Sequence, residues 1–297
     1  MKGVGAPQLR KMDTGLGVHD ANFPLDAEGR TYHVGVKVGE VAARIVSVGD
    51  PSRAATLAGF FDRPESTLVL QTNRGFTTYT GSFRGVPVTV VATGMGVAMM
   101  DFMVREVAAV TPGPIVVVRF GTCGTLDARL PVGSLCLASA SVMCRRNEDA
   151  WAPGSTEPPY AVSRQPVTGD AALRQLLHKR LAGAVDPKHA LAEGLNCTAD
   201  SFYSTQGRVG QHFDDRNEGL FRFLAERQPG VRTLEMETFQ LFHLAECSQE
   251  HRIRAAAVCI VLANRSSNDF LTVEAKHYLE HTAGRAILDA IVDYKFE

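Results

Sequence analysis

Residues 114–126, which read PIVVVRFGTCGTL, constrain the fold of this chain more than any other stretch. The apolar run at 115–118 is typical of a strand that is buried on both faces of a sheet. Arg119 follows directly, and a guanidinium at the end of a buried strand has to be neutralised. Either a buried carboxylate or an anionic ligand can do this. We predict a glycine turn at 121–124 whose backbone N–H groups approach such a ligand.

A second segment combines a strand end with the signals for the start of a helix. Residues 43–48 are predicted to form a short buried strand, and Gly-Asp-Pro-Ser-Arg follows at 49–53. Asp50 suits the N-cap of a helix, and Pro51 suits its first position. A helix N-terminus at the end of a buried strand can bind an anion, and Arg53 lies in its first turn. A capped strand-to-helix turn without a ligand also accounts for these residues.

The rest of the chain continues as an alternation of strand and helix patterns. Further strands are predicted within 67–80 and at 86–93, 132–143, 194–200 and 255–263. Helices are predicted after Gly96 and at 170–181, 234–245 and 272–293. This order predicts an α/β fold with a central mixed β-sheet flanked by helices and a ligand at the carboxyl ends of the strands. Arg53, Arg119 and Arg265 are expected to project there.

No linker divides the series, so a single domain is predicted for residues 32–297. Residues 1–31 show little periodicity and are predicted to be an N-terminal extension that lies over the surface or is partly disordered. Residues 145–166 contain Pro, Gly and Ser together with the only tryptophan, Trp151. They are predicted to be a surface insertion in the form of an exposed loop or lid.

Composition excludes several classes of partner. A net charge of −1 offers no general attraction to nucleic acid or anionic membranes. The longest apolar stretch, 255–263, is too short to span a bilayer, and no targeting presequence is evident, so a cytoplasmic location is predicted. The six cysteines are scattered and are predicted to be reduced. His277 and His281 share a helix face without an evident third ligand, so neither a metal nor a cofactor is predicted.

Four segments, taken together, resemble the motifs of one enzyme family. They are GDPSR at 49–53, VVRFGTCG at 117–124, SFYSTQGR at 201–208 and LEMET at 234–238. In this order and spacing they resemble the uridine phosphorylases of the trimeric or hexameric nucleoside phosphorylase superfamily, from about Tyr32 to the C-terminus. The resemblance implies cleavage of uridine by inorganic phosphate to uracil and ribose 1-phosphate in pyrimidine salvage. Deoxyuridine and thymidine are further candidate substrates.

The resemblance also implies roles for individual residues of this sequence. The residues implied in phosphate binding are Gly49, Arg53, Arg74, Arg119 and Thr122. Those implied in ribose binding are His33, Thr122, Glu235, Met236 and Glu237. Those implied in uracil binding are Gly121, Phe202, Gln206 and Arg208. Arg119, Glu237 and Arg208 are implied in catalysis, whereas His33 and Arg74 are implied to reach the site of a neighbouring subunit.

Departures from the family pattern refine these expectations. Purine-cleaving relatives carry an aspartate that protonates the purine where this chain has Arg265, and an arginine cannot do this at neutral pH. A pyrimidine substrate is therefore favoured. Many bacterial members place a glutamate for an interface cation where this chain has Gly75, so the presence of an interface cation is left open. The extension and the insertion resemble eukaryotic members that form dimers, and a homodimer with shared active sites is predicted.

Three alternatives remain open. A nucleosidase of the same superfamily would use water and would not need Arg53, Arg74 and Arg119 together. Cys123 could be a nucleophile on the glycine turn, although no histidine lies at a position that resembles its base. A non-catalytic nucleoside-binding or storage relative would be favoured by the loss of Glu237 or of an arginine, and none of these is lost.

Overall fold

A computed structural model describes residues 9–15, 17–249 and 252–296 of the chain. Within these residues, thirteen strands join one mixed β-sheet. The strands are β1 (Leu9–Met12), β2 (Arg44–Val48), β3 (Leu68–Thr72), β4 (Thr77–Phe83), β5 (Val86–Ala92), β6 (Ile115–Thr125), β7 (Leu135–Arg146), β8 (Tyr160–Val162), β9 (Val167–Thr168), β10 (Leu191–Ala199), β11 (Val231–Glu235), β12 (Ile253–Asn264) and β13 (Asp269–Phe270). The predicted α/β fold with a central mixed sheet is confirmed.

Part of the sheet closes into a ring. The strand order is β1-β3-β4-β5-β2-β6-β11-β10-β7-β12-β13, and β12 also pairs in parallel with β6. The strands β6, β11, β10, β7 and β12 therefore form a closed barrel, from which β2, β5, β4, β3 and β1 extend as an open sheet. The sequence did not predict this closure, because the apolar pattern of a strand shows that it is buried and not which strands it pairs with.

Helices cover both faces of the sheet. They are α1 (Pro51–Ala58), α2 (Val97–Val110), α3 (Ala171–Ala184), α4 (Leu220–Arg227), α5 (Thr238–Cys247) and α6 (Val273–Asp293). On one face α1, α3 and α6 pack with Val46 and Val118, and on the other α2 and α5 pack with Ile45 and Val117. Successive strand residues face opposite sides, which explains the continuous apolar run in β6. Across the described ranges, no helix is long and apolar enough to cross a membrane.

β6 does not turn where its glycines predicted a turn. It remains a strand throughout Ile115–Thr125 and pairs with β12 along this length, so the predicted turn at 121–124 is wrong. Gly121 serves close packing instead, because a Cβ there would lie 3.0 Å from Cys259 Sγ. Arg119 consequently lies in the middle of a long strand and not at its end.

The helix predicted from residue 234 begins later. β11 ends at Glu235, and α5 begins at Thr238 with Glu237 in the N-cap position. Both glutamates therefore lie at a strand-to-helix junction, and their predicted placement in the first turn of a helix is wrong. The apolar residues of β11 are too few for their periodicity to distinguish a strand from a helix.

The described part of the N-terminal extension lies against the domain. β1 pairs in parallel with β3 and lengthens the open edge of the sheet. Arg30 and Glu40 form a buried ion pair at 2.5 Å, which fixes the end of the extension. The first eight residues of the predicted extension lie outside the described residues, and the domain boundary at residue 32 remains a prediction.

The insertion, residues 145–166, is a folded hairpin and not a free loop. β7 continues to Arg146, a 3₁₀ turn spans Glu148–Trp151, and β8 pairs antiparallel with the end of β7. Tyr160 on β8 is buried, whereas the tip at 152–158 is largely exposed. The expectation of an exposed loop or lid therefore fits only the tip.

Candidate active site

A cavity of ≈ 440 Å³ lies at the carboxyl ends of β2, β11 and β12, beside the second half of β6. Its volume is in the range of small-molecule sites, and its position is the one that an α/β sheet favours. The predicted site residues that line it are Gly49, Arg53, Arg119, Thr122, Phe202, Gln206, Arg208, Glu235, Met236 and Glu237. The structure therefore brings together residues from four separate sequence motifs.

Arg119 is a buried cation in the wall of this cavity, with its side chain only 4% exposed. Its Nη2 donates to Glu237 Oε2 at 2.8 Å, and its Nη1 donates to the hydroxyls of Ser47 and Thr93 at 3.2 Å each. Its buried Nε finds no hydrogen-bond partner in the part of the chain that the structure describes. Because leaving a buried N–H unpaired is costly, Arg119 retains a donor for an incoming acceptor.

Arg53 is the second buried cation. Its Nε donates to Glu280 Oε1 at 2.8 Å, and its Nη1 donates to the carbonyl oxygen of Phe120 at 3.1 Å. Removal of either partner of such a buried pair leaves an uncompensated charge, so Glu280 fixes the position of the guanidinium. Lys276 adds a third cation here, with its Nζ 3.6 Å from Glu280 Oε1 and 3.8 Å from Asp50 Oδ2.

The start of α1 completes the cationic end of the cavity. Asp50 caps the helix by accepting a hydrogen bond from Ser52 N at 2.7 Å, and Pro51 occupies its first turn, as predicted. Gly49 allows a close approach, because a Cβ there would lie 3.2 Å from the Gly94 carbonyl oxygen and 3.3 Å from Arg119 Nη2. Guanidinium groups and a helix N-terminus at one end of a cavity favour an oxyanion ligand.

Glu237 lies next to this cationic end. Its Oε1 accepts a hydrogen bond from Gly96 N at 2.5 Å, while its Oε2 accepts from Arg119. The half-buried residues Met236 and Thr122 line the same cavity. The pairing with Arg119 keeps a carboxylate buried beside the place where an anion would bind.

Glu235 has a different environment, although it also lines the cavity. Its Oε1 accepts hydrogen bonds from Thr198 Oγ1 at 2.5 Å and Asn196 Nδ2 at 2.7 Å. Its Oε2 accepts from the backbone N–H groups of Glu237 and Thr238 at 2.8 and 2.9 Å. Burial, followed by the charge of Glu237, raises the pKa of Glu235. Because its oxygens are engaged by the protein, Glu235 holds the junction that presents Glu237.

The other end of the cavity is formed by residues 201–217, between β10 and α4, which we call the cavity loop. The Arg208 guanidinium lies 3.7 Å from the ring centroid of Phe202, and its Nη1 donates to Gln206 Oε1 at 2.8 Å. This bond leaves the amide nitrogen of Gln206 as a donor. Burial, followed by the charge of Arg265, lowers the pKa of Arg208 to about 10, so Arg208 remains charged at neutral pH. An aromatic face with amide and guanidinium donors suits a planar heterocycle that carries carbonyl oxygens.

Comparison with known proteins agrees with this geometry. The family model described as the phosphorylase superfamily matches residues 43–293. The chain belongs to the phosphorylase superfamily. A uridine phosphorylase from Thermococcus kodakarensis is 30% identical to it over 252 residues, which are 84% of this chain and 83% of the relative. A DeoD-type purine nucleoside phosphorylase from Geobacillus kaustophilus is 32% identical over 217 residues, which are 72% and 79% of the two chains.

A solved structure provides a further comparison. It comes from work on two uridine phosphorylases of the oomycete Phytophthora capsici, and it is 40% identical to this superfamily member, with a TM-score of 0.89. The match covers 94% of this chain and 100% of the other. The predicted resemblance to uridine phosphorylases is therefore confirmed.

Three of the predicted site residues do not line the cavity. Gly121 packs against β12, as described above. His33 Nδ1 lies 2.6 Å from Glu106 Oε1, and Arg74 Nη2 donates to Tyr32 Oη at 2.5 Å. The rings of Tyr32 and His33 are in edge contact, so His33 and Arg74 form one cluster outside the cavity of their own subunit.

Arg265 also differs from the expectation that it would project towards the ligand. Its Nη1 and Nη2 donate to the carbonyl oxygens of Gln206 and Gly207, both at 3.0 Å. It is not among the residues that line the cavity, because it lies behind the cavity loop. In this phosphorylase superfamily member, Arg265 therefore supports the loop that carries Gln206.

Sequence reasoning missed Glu280 and Lys276. Both belong to α6, and Glu280 meets Arg53 across 227 residues of sequence. The available signal was a charged residue on the apolar side of a helix, since Glu280 is buried beside Leu279 and Ala283. A buried glutamate of that kind has to find a cation, although the sequence does not say which one.

Cys123 does not have the environment of a nucleophile. It is a buried free thiol, and its hydrogen bond with the thiol of Cys259, followed by burial, raises the pKa of Cys123 well above the usual value. The thiolate is the nucleophilic form of cysteine, and this environment disfavours it. Cys123 is therefore a packing residue in the cavity wall.

Proposed function

We propose that the protein is a uridine phosphorylase that converts uridine and phosphate to uracil and ribose 1-phosphate in pyrimidine salvage. The observation that carries this proposal is the pair of buried guanidinium groups at one end of the cavity, with an open donor on Arg119 Nε. Phosphate has paired oxygens that suit such forks. A nucleosidase, which uses water, would not need two guanidinium forks at this end of the cavity. The 40% identity to the oomycete structure supports the same substrate class.

The reaction requires no nucleophile from the protein. A phosphate oxygen supplies the electron pair for the new bond to the anomeric carbon, and the pair from the broken bond to nitrogen leaves with uracil. Arg53, Arg119 and Thr122 hold the phosphate in line with this carbon. Glu237 accepts hydrogen bonds from the ribose hydroxyls and stabilises the positive charge that develops on the sugar, with Met236 beside it.

The cavity loop receives the base in this proposal. Uracil stacks on Phe202, and the amide nitrogen of Gln206 donates to it. As the glycosidic bond breaks, Arg208 stabilises the negative charge that spreads to the carbonyl oxygens of uracil. Arg265 cannot act as the acid that a departing purine needs, because a guanidinium does not release a proton at neutral pH and its N–H groups donate to backbone carbonyl oxygens. Uridine is therefore preferred over purine nucleosides.

The proposed reaction uses inorganic phosphate as a co-substrate and no cofactor. We further propose a cytoplasmic enzyme. Its six cysteines are all unpaired, and five of them are buried, which suits a reducing compartment.

The test of this function is the release of uracil from uridine with phosphate present and with phosphate omitted. We expect release only with phosphate, together with ribose 1-phosphate in equal amount, and no hypoxanthine from inosine in parallel reactions. The rates of base release from thymidine and deoxyuridine show how far the base and sugar parts of the site tolerate a changed substrate. Release without phosphate would identify a nucleosidase instead, and no release from any nucleoside would favour a binding protein.

We also propose that the enzyme is a homodimer in which His33 and Arg74 complete the active site of the partner. Both side chains lie in one cluster at the surface of the subunit, outside its own cavity. Arg74 supplies a third guanidinium to phosphate, and His33 contacts the 5′-hydroxyl of the ribose. A two-fold dimer is the smallest assembly in which two such clusters can each reach a neighbouring cavity.

Mixed dimers test this assembly. The Arg74→Ala and Arg119→Ala variants are each expected to be weakly active, whereas their coexpression places both substitutions in one site and leaves the other site intact. With random pairing, half of the dimers have one intact site, so activity should recover to about a quarter of the wild-type value. Activity no higher than that of the separate variants would show that Arg74 does not act across an interface.

A further inference from the structure

The insertion touches the cavity loop through a buried tyrosine and the only tryptophan. Tyr160 Oη donates to the Asp215 carbonyl oxygen at 2.5 Å and lies 2.8 Å from Ser204 Oγ. A phenol has one proton, so Ser204 is the donor in the second contact. Trp151 Nε1 donates to the Asp214 carbonyl oxygen at 3.1 Å. Two side chains of the hairpin thus hold the loop at three points.

Charged side chains make further contacts between the cavity loop and the insertion. Arg216 Nη1 donates to the Ala150 carbonyl oxygen at 2.8 Å, and Arg146 lies 3.8 Å from the Asp215 carboxylate. The guanidinium groups of Arg146 and Arg216 lie 4.6 and 5.2 Å from the ring centroid of Trp151. These contacts between charged, aromatic and backbone groups make the hairpin and the loop one packed unit.

Contacts inside the loop pass this restraint to the base-binding side chains. Asn217, which is 5% exposed, donates from Nδ2 to the carbonyl oxygens of Ser204 and Arg208 at 3.1 and 3.0 Å. Ser204 begins the 3₁₀ turn that ends at Gln206. The residue that Tyr160 holds is therefore two positions before Gln206 and is tied through Asn217 to Arg208.

We propose that the insertion is a positioning element for uracil recognition, in which Tyr160 and Trp151 hold Gln206 and Arg208 in their binding arrangement. This inference rests on the proposed function for the identity of the base, but the restraint itself does not. An irregular loop has to be ordered before it can bind tightly, and a preformed arrangement lowers that cost. Tyr160 and Trp151 touch neither the base nor the phosphate in this proposal.

The first measurement is amide hydrogen exchange of the protein without substrate, because it does not depend on the reaction. In Tyr160→Phe, Ser204 and the Asp215 carbonyl lose their partner, so amides of the cavity loop are expected to exchange about tenfold faster, whereas those of β4 and α6 are unchanged. Tyr79→Phe is the matched control, because Tyr79 lies in β4, away from the loop, and loses the same single oxygen. Unchanged exchange in the cavity loop of Tyr160→Phe would overturn the proposal.

The second measurement is the Michaelis constant for each substrate. Tyr160→Phe is expected to raise KM for uridine about tenfold, because the cavity loop loses both of its hydrogen bonds to Tyr160, and to change KM for phosphate less than twofold. Trp151→Phe removes the bond to Asp214 and gives Arg146 and Arg216 a smaller aromatic ring to pack on, so it should also raise KM for uridine and serves if Tyr160→Phe does not fold. Equal changes in KM for uridine and in KM for phosphate would show a general loss of structure and overturn the proposal. A wild-type protein without phosphorolysis would reject the proposed function, while hydrogen exchange would still decide whether the restraint exists.

Discussion

The Arg119→Ala variant is expected to lose about ten- to a hundredfold in kcat/KM for phosphate, because a charge-assisted hydrogen bond contributes ~1.5–3 kcal/mol. The structure gives a second reason for a large effect. Arg119 neutralises Glu237 at 2.8 Å in a buried site, so its removal also leaves the Glu237 carboxylate without its cation. The measurement is the initial rate of uracil release over a range of phosphate concentrations at saturating uridine.

Arg119→Lys separates the charge from the geometry. Lysine keeps a cation beside Glu237 but lacks the planar fork that bonds Glu237, Ser47 and Thr93 together. We expect its activity to lie between those of the wild type and Arg119→Ala, with a smaller loss of thermal stability than in the alanine variant. If a folded Arg119→Ala protein kept the full rate of phosphorolysis, Arg119 would not be a phosphate-binding residue.

Local patterns predicted those parts of the fold that depend on neighbours in sequence. The capped start of α1 follows from Asp50 and Pro51, whose side chains act within one turn of the helix. The buried strand at 115–118 follows from its continuous apolar run. Arg53 and Arg119 were also placed at the ligand site by strand-end patterns. The other predicted residues that line the cavity came from the resemblance to uridine phosphorylases, because no local rule says that Arg119 and Glu237 meet.

Contacts between distant segments account for what the sequence could not predict. Glycines usually indicate a turn, but Gly121 lies within a strand, at a position where Cys259 of β12 leaves no room for a larger side chain. The pairing of β6 with β12 has no signature in the local sequence. In the same way, Glu280 becomes the partner of Arg53 only after α6 has packed beside α1. Tyr160 was part of a predicted loop, and its role depends on a hydroxyl that meets Ser204 from another segment.

The Glu237→Gln variant is expected to lower kcat/KM for uridine about tenfold more than that for 2′-deoxyuridine. The substitution keeps the size of the side chain and removes its charge. In the proposed complex, a ribose hydroxyl donates to this carboxylate, and a charged hydrogen bond is worth ~1.5–3 kcal/mol against about 1 kcal/mol for a neutral one. Both substrates should also turn over more slowly, because both develop positive charge on the sugar. The ratio of the two kcat/KM values isolates the contact with the hydroxyl.

Glu235→Gln makes the same chemical change two residues earlier, where the carboxylate serves the protein instead of the sugar. Its oxygens accept from Thr198, Asn196 and the backbone N–H groups at the start of α5, and an amide cannot satisfy all of these donors. This variant should therefore lower thermal stability and slow uridine and 2′-deoxyuridine by the same factor. If Glu237→Gln also slowed both substrates equally, Glu237 would be the buried counterion of Arg119 alone, and the ribose would have to bind elsewhere in the cavity.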